Sequence, residues 1–340
     1  MTRITVSLAS LCLYCLTGCG ARAVDLDHAA PTSSAPTSSS PTDPEAPFVP
    51  IGGVSGVWID EQRLYWLALG GSLLQSCLTT DCERTTLSYA KNEALGLAVA
   101  VADGRVYWTS DSSFFSCAAE GCQGGLRTIT ADAAVAGRPI FAYRGHVYWF
   151  SDFDIYRCPA QGCGETPEVV AANVTRSQLT FDEDRVYWAD FERGIVSVPS
   201  DGSEPPKLVI DALLVGNVAV RDGYLYWTAG AGQQVFRCQI ANCASTGALL
   251  VTTDARITDL DVDGSAMYWL EASAIHTCSL PGCERSSVLT PPTVADPEYS
   301  SLSPSAGFAL DASYLYWLET PNRPRAAPGY PYGAIRRTAR

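Results

Sequence analysis

Val99-Ala100-Val101-Ala102-Asp103-Gly104-Arg105-Val106-Tyr107-Trp108-Thr109 is the stretch that decides the fold. Val99 and Val101, two apart, mark one face of a strand, Asp103-Gly104 supplies tight-turn chemistry, and Val106 to Thr109 opens a second strand. The pair reads as a hairpin. A third strand, Phe114-Phe115-Ser116-Cys117, and a fourth, Leu126-Arg127-Thr128-Ile129, follow.

The Tyr-Trp pair recurs at Tyr65-Trp66, Tyr107-Trp108, Tyr148-Trp149, Tyr187-Trp188, Tyr226-Trp227, Tyr268-Trp269 and Tyr316-Trp317, at intervals of 42, 41, 39, 39, 42 and 48 residues. Eight residues before each Tyr stand Val57, Val99, Ile140, Leu179, Val218, Leu260 and Phe308, so the first strand recurs with the second. Four short strands at a period near 40 are the signature of a propeller blade. The expected fold is all-β, a seven-bladed β-propeller of four-stranded antiparallel blades. Tyr and Trp are adjacent and so face opposite ways, which is needed where neighbouring blades cover both faces of a sheet. The last copy stops at Ile335-Arg336-Arg337-Thr338, which matches a third strand, and Phe48-Val49-Pro50-Ile51 is a spare apolar segment ahead of the first copy. That segment is expected to close the ring as the outer strand of the last blade, leaving no long edge exposed. Pro50 is tolerated on an outermost strand, where a missing N–H costs little.

The unit resembles the YWTD β-propeller repeats of low-density-lipoprotein-receptor-type proteins and, more closely, similar repeats of bacterial secreted proteins and lipoproteins. Val106-Tyr107-Trp108-Thr109 and Leu225-Tyr226-Trp227-Thr228 are the nearest matches, and the resemblance covers about residues 48–340. It implies a shared fold. The receptor propellers have six blades where seven are counted here.

Residues 1–18 read as a signal peptide: Arg3, an apolar run from Ile4 through Cys15, then Leu16-Thr17-Gly18 before Cys19. Leu16-Thr17-Gly18-Cys19 resembles the bacterial lipobox, which implies cleavage before Cys19 and lipidation of its sulfur. Three acyl chains, each methylene contributing about 0.8 kcal/mol on burial, would make release from a membrane rare. Gly20 after the lipidated residue favours the outer membrane by resemblance to the enteric sorting rule, so the expected location is the outer membrane or cell envelope. Residues 19–47 are the lipidated Cys and a Ser/Thr/Pro-rich tether that lacks the apolar bulk to offset ordering entropy. Residues 48–340 form the propeller. Hydrophobic residues at 47% against 17% charged suit a packed body. A net charge of −13 with no basic stripe argues against a nucleic-acid partner.

Ten cysteines form five pairs of one spacing: Cys77 with Cys82, Cys117 with Cys122, Cys158 with Cys163, Cys238 with Cys243, and Cys278 with Cys283. Successive blades would carry them apart around the rim, so they do not converge as a metal site, and in an exported chain matched pairs read as disulfides. Each flanks the turn between third and fourth strands, where its effect is expected to be local. The fourth unit places Ser197 and Gly202 at these positions. Cys12 and Cys15 leave with the signal peptide.

No catalytic motif is visible, and no cofactor or resident metal is expected. His28, His146 and His276 fall at different levels of the repeat. Five residues before each Tyr stand Asp60, Ala102, Tyr143, Asp182, Arg221, Asp263 and Asp311. Asp60, Asp182, Asp263 and Asp311 have two readings: a ring holding a cation or basic ligand at the channel mouth, or caps of hairpin turns, the reading favoured. A blade-seven insertion from Thr320 to Pro331, with Arg323, Arg325 and Tyr330, reads equally as a recognition loop or as a disordered one. The expected function is a monomeric, membrane-anchored propeller that binds or scaffolds a protein or glycan without catalysis. The alternative is a propeller lyase or hydrolase with its site at the channel mouth.

Overall fold

Val57–Asp60, Arg63–Ala68, Leu73–Leu78 and Leu87–Lys91 pair in chain order into an antiparallel sheet, the first blade. They belong to a computed structural model that describes residues 48–51, 56–68, 73–91, 95–110, 113–130, 139–151, 153–175, 178–190, 192–271, 274–289, 301–302, 307–320 and 333–340. Blades two to six repeat the order from innermost strands Leu95–Ala102, Ile140–Tyr143, Leu179–Asp182, Val218–Arg221 and Ile257–Val262. In the seventh sheet Tyr314–Thr320 pairs with Phe308–Leu310 and Ser301–Leu302 on one side and with Gly333–Ala339 on the other. Seven such sheets form a ring, the expected seven-bladed propeller.

The ring closes as expected. Val49–Ile51 adds to the outer edge of the seventh sheet, with Val49 opposite Ile335, Pro50 opposite Ala334 and Ile51 opposite Gly333. Phe48 lies under the Arg337 guanidinium, 4.2 Å from its ring centroid, and 5.7 Å from the Tyr316 ring.

Adjacent strand residues leave opposite faces of a sheet, and the ring uses this seven times. The Tyr of each blade shares a buried cluster with the Trp of the next: Tyr65 with Trp108, Tyr107 with Trp149, Tyr148 with Trp188, Tyr187 with Trp227, Tyr226 with Trp269, Tyr268 with Trp317, and Tyr316 with Trp66. The core is therefore seven inter-blade layers. Asp103-Gly104, Arg144-Gly145 and Asp222-Gly223 take positive φ at both residues, the two-residue turn that matches strand twist.

All five cysteine pairs lie at disulfide distance. The Cα atoms of Cys77 and Cys82 are 4.7 Å apart, those of Cys117 and Cys122 5.1 Å, of Cys158 and Cys163 5.4 Å, of Cys238 and Cys243 4.9 Å, and of Cys278 and Cys283 5.0 Å. Beyond flanking its own hairpin, each pair packs with both members in the cluster shared with the preceding blade. The second cysteines make this contact from the turn that follows the third strand. Cys82 and Cys243 open single helical turns, Cys82–Thr85 and Cys243–Thr246, and Cys122 opens the tighter turn Cys122–Gly124. Cys163 N–H donates at 3.0 Å to Ile129 O of blade two, whereas Cys283 N–H donates at 3.0 Å to Ser279 O of its own blade. Spacing placed these five beside a turn but gave no sign that the turn folds back onto the neighbouring blade.

Blade four also differs. Val198 pairs with Val186 as Cys158 pairs with Val147, so Val198 and Ser203, rather than Ser197 and Gly202, occupy the cysteine positions. The turn before this third strand holds residues 191–193 where blade three has only 152–153, which shifts the count by one.

Candidate functional site

The turns between first and second strands gather around one mouth of the ring, and adjacent blades are joined there. Asp60 Oδ2 accepts from the Gly104 N–H of the next blade at 3.2 Å, and Asp103 Oδ2 from Gly145 N–H at 2.7 Å. Arg144 donates to Glu183 O at 2.9 Å. Asp263 and Asp311 turn inward on their own hairpins: Asp263 Oδ1 accepts from Ser265 and Ala266 N–H, both at 2.9 Å, and Asp311 Oδ1 from Ser313 and Tyr314 N–H, both at 2.7 Å. Three of the four singled-out carboxylates thus hold turns. Burial raises the Asp182 carboxyl, as do Glu183, Asp184 and Asp222, against the pull of Arg144. Among the described residues no three His, Cys, Asp or Glu side chains come together to hold a metal.

Each blade also places a guanidinium beside the tyrosine of its Tyr-Trp pair, from one of three places. In blades one, two and four it comes from two residues before the Tyr. Arg63 donates to Ser76 Oγ at 2.9 Å, Arg105 to Ser116 Oγ at 2.8 Å, and Arg185 to Ser197 Oγ at 3.1 Å from Nη2. In blades three, five and seven it stands on the third strand opposite the Tyr, as Arg157, Arg237 and Arg337. Blade six has Thr277 there, and Arg340 arrives instead, with Nε donating to the Tyr268 hydroxyl at 3.0 Å and an ion pair to Asp263. Burial pushes the hydroxyls of the first five blades and the last up, Tyr187 to about 12, and the neighbouring guanidinium draws each back. Two of these arginines reach further: Arg157 donates to Ser200 O at 2.9 Å and Arg337 to Thr79 O at 3.0 Å, each in the next blade.

Asp259-Leu260-Asp261-Val262-Asp263-Gly264 has the spacing of a calcium loop. It adopts another shape. Asp259 and Asp261 sit on the extended strand Ile257–Val262, where the backbone runs straight and does not curl around a point as a calcium loop does. Asp259 accepts from Leu260 N–H at 2.9 Å and Phe308 N–H at 3.3 Å. Enclosure by the blades pushes its carboxyl up to about 6, with the Asp261 charge adding to the effect. Asp261 is raised too, first by burial, though it keeps contact with water, as a side chain lining an enclosed channel does.

This sets a pH dependence. Between about pH 4 and pH 6 the native state binds the Asp259 proton more tightly than the unfolded chain, so stability declines as pH rises through that window, and the penalty is fully present above it. Asp259→Asn removes the charge and should raise stability at pH 7.5 by roughly 2 kcal/mol, with little effect near pH 4. Thermal melts at the two pH values decide it; an equal loss at both would mean that the charge carries no penalty.

The histidines do not meet. His146 begins the second strand of blade three, its Nδ1 3.2 Å from Arg144 O, whereas His276 stacks on Trp269 at 5.3 Å in blade six with its Nε2 3.7 Å from Glu271. Cys19, His28, the tether and the loop residues Arg323, Arg325 and Tyr330 lie outside the described residues.

One further feature is a cleft of about 340 Å³ between blades seven and one, lined by Glu61, Gln62, Thr80, Ser313, Tyr314 and Arg337 among others. Sequence reasoning missed it, since its walls come from opposite ends of the repeat array.

No protein-family model matches the chain, and no curated protein matches its sequence. Solved structures match its fold. YCF48 bound to D1 peptide is 12% identical with a TM-score of 0.60, covering 85% of this chain and 92% of that one. A catalytically inactive His-to-Ala variant of virginiamycin B lyase from Staphylococcus aureus with quinupristin is 11% identical with a TM-score of 0.57, covering 80% and 92%. Apo AztD from Citrobacter koseri is 10% identical with a TM-score of 0.52, covering 84% and 89%. At such identities they show the propeller fold alone.

Proposed function

We propose that the chain is an exported, lipid-anchored propeller that binds a protein or glycan at the cell envelope without transforming it. The observation that carries this reading is the use made of the chemistry-bearing groups at the mouth. Asp60, Asp103, Asp263 and Asp311 hold turns, the arginines stand beside buried tyrosines, and His146 and His276 are far apart in the repeat. A nucleophile with a positioned base is what acyl or glycosyl transfer would need. Five cysteine pairs at disulfide distance favour a non-reducing setting. The YWTD-like unit and the peptide-bound neighbour of the same fold support a binding role.

The anchor is tested at Cys19. In a bacterial host that processes lipoproteins, Cys19→Ala should lose acyl mass and leave the membrane fraction. A variant that stays membrane-bound with its modification unchanged would sink the anchored reading. Binding is tested by incubating the exported wild-type protein with envelope extract and identifying what is retained. A partner recovered with its mass unaltered supports binding, whereas a captured molecule released with a changed mass would favour the lyase or hydrolase alternative.

A further inference from the structure

The first three junctions of the ring are stitched at their hairpin turns by a side chain of one blade reaching the backbone of the next: Asp60 to Gly104, Asp103 to Gly145, and Arg144 to Glu183. Between blades six and seven Arg340 fills the same space, bound to Asp263, to Asp311 O and to the Tyr268 hydroxyl. Between blades seven and one the equivalent groups are Asp311 and Ala312. Asp311 is already engaged by two N–H groups of its own turn and by the Tyr316 hydroxyl at 2.8 Å, and Ala312 has no polar side chain. Among the described residues no hydrogen bond joins these two turns. This junction holds the 340 Å³ cleft, bridged at its floor by Arg337 to Thr79 O.

We infer that this cleft is a binding site for a neutral, polyhydroxylated ligand, a glycan of one to three sugar units. The inference rests on the binding reading above and names its ligand class. Five features of the lining argue for it. The cleft's volume falls in the range of small-ligand sites, roughly 300 to 1,000 Å³. Net charge is low: Glu61 and Asp311 against Arg337 leave one negative charge, and the Asp311 carboxylate is engaged by its own turn and by the Tyr316 hydroxyl, so an anion is not selected and Glu61 alone is left to face a cation. Donors and acceptors are dense, because Gln62, Thr80 and Ser313 offer an amide and two hydroxyls beside the planar ends of Glu61 and Arg337. Among the described lining residues Ala312 is the only aliphatic side chain and the Tyr314 ring already carries Arg337, so the apolar anchor of a peptide would find little to pack against. The floor is preorganised. Arg337 is clamped between the Phe48 ring at 4.2 Å and the Tyr314 ring at 4.6 Å, with one N–H held by Thr79 O. Its remaining N–H groups are presented in a fixed plane, which lowers the ordering cost of binding.

The test is saturation-transfer NMR and calorimetry on the exported protein, with neutral di- and trisaccharides (cellobiose, maltotriose, chitobiose) and uncharged tripeptides as probes. At least one sugar should bind, and Gln62→Ala and Thr80→Val should each weaken it about tenfold, the effect of one lost hydrogen bond to a desolvated ligand, with melting temperature unchanged. Ser200→Ala, at the stitched junction between blades three and four, should bind as wild type. If no sugar binds, if the tripeptides bind instead, or if sugar binding ignores Gln62 and Thr80, the assignment is overturned. A protein partner recovered from envelope extract alongside that negative result would leave the general binding function standing and remove only this site.

Discussion

Deleting residues 20–53 should lower the melting temperature of the propeller by roughly 10 °C, while deleting residues 20–44 should leave it unchanged. The longer deletion removes Val49–Ile51 from the outer edge of the seventh sheet. It also removes Phe48 from the Arg337 and Tyr316 contacts. Half-burying one aromatic and one aliphatic side chain and making the ladder bonds of three residue pairs contributes about 4 kcal/mol together. The loss is larger in consequence than in contacts. Arg337 also donates to Thr79 O in blade one, so an unlatched seventh blade loosens the junction that holds the ring shut. The measurement is thermal unfolding of both truncations beside the full exported chain. Equal midpoints for all three would show that this strand does not hold the ring together, despite its pairing.

Trp188→Ala should cost about 3 to 5 kcal/mol and shift the whole transition, because it opens a cavity in the layer where Trp188 lies with Tyr148, Phe150 and Val198. Each such layer is shared by two blades, so damage at one reaches both. Trp58 supplies the contrast: the one tryptophan outside the Tyr-Trp register, it is half-buried beside the blade-one to blade-two cluster. Trp58→Ala should cost less than half as much, in proportion to the apolar area it loses. Chemical denaturation of the two variants checks the ratio. A Trp188→Ala protein within about 1 kcal/mol of wild type would mean that the inter-blade layers do not carry the stability.

The pattern Val99, Val101, Tyr107-Trp108 was sufficient to read out strands, turns, blade number and the closing strand, since alternation is a local consequence of the pleat and the period of the repeat is visible in the chain. It reported faces and left register open. That is why Ser197 stood in for Val198 until the pairing of Val198 with Val186 placed it, and why the bulges between third and fourth strands at Leu74/Gln75, Phe114/Phe115, Ile155/Tyr156, Ile195/Val196 and Val235/Phe236 went unseen. The four aspartates were legible as acids on turns. Their division into Asp60, which holds the next blade, and Asp263 and Asp311, which hold their own, was not.

The sequence by itself determined that this chain is a seven-fold repeat of four strands, that ten of its thirteen cysteines form five matched pairs, and that Phe48 to Ile51 belongs beside Ile335, because each follows from spacing and pattern along the chain. Only the tertiary structure decided which arginine serves which tyrosine and where a cleft lies between blades seven and one. It alone also turned Cys82, Cys122, Cys163, Cys243 and Cys283 toward the preceding blade. Arg63, Arg157 and Arg340 perform one task from three sequence positions, and Glu61 and Arg337 line one cleft across the closure. The physical reason is that packing selects a side chain's position in space and is indifferent to the strand that delivers it, so substitutions at different positions compensate one another in ways that no single register records.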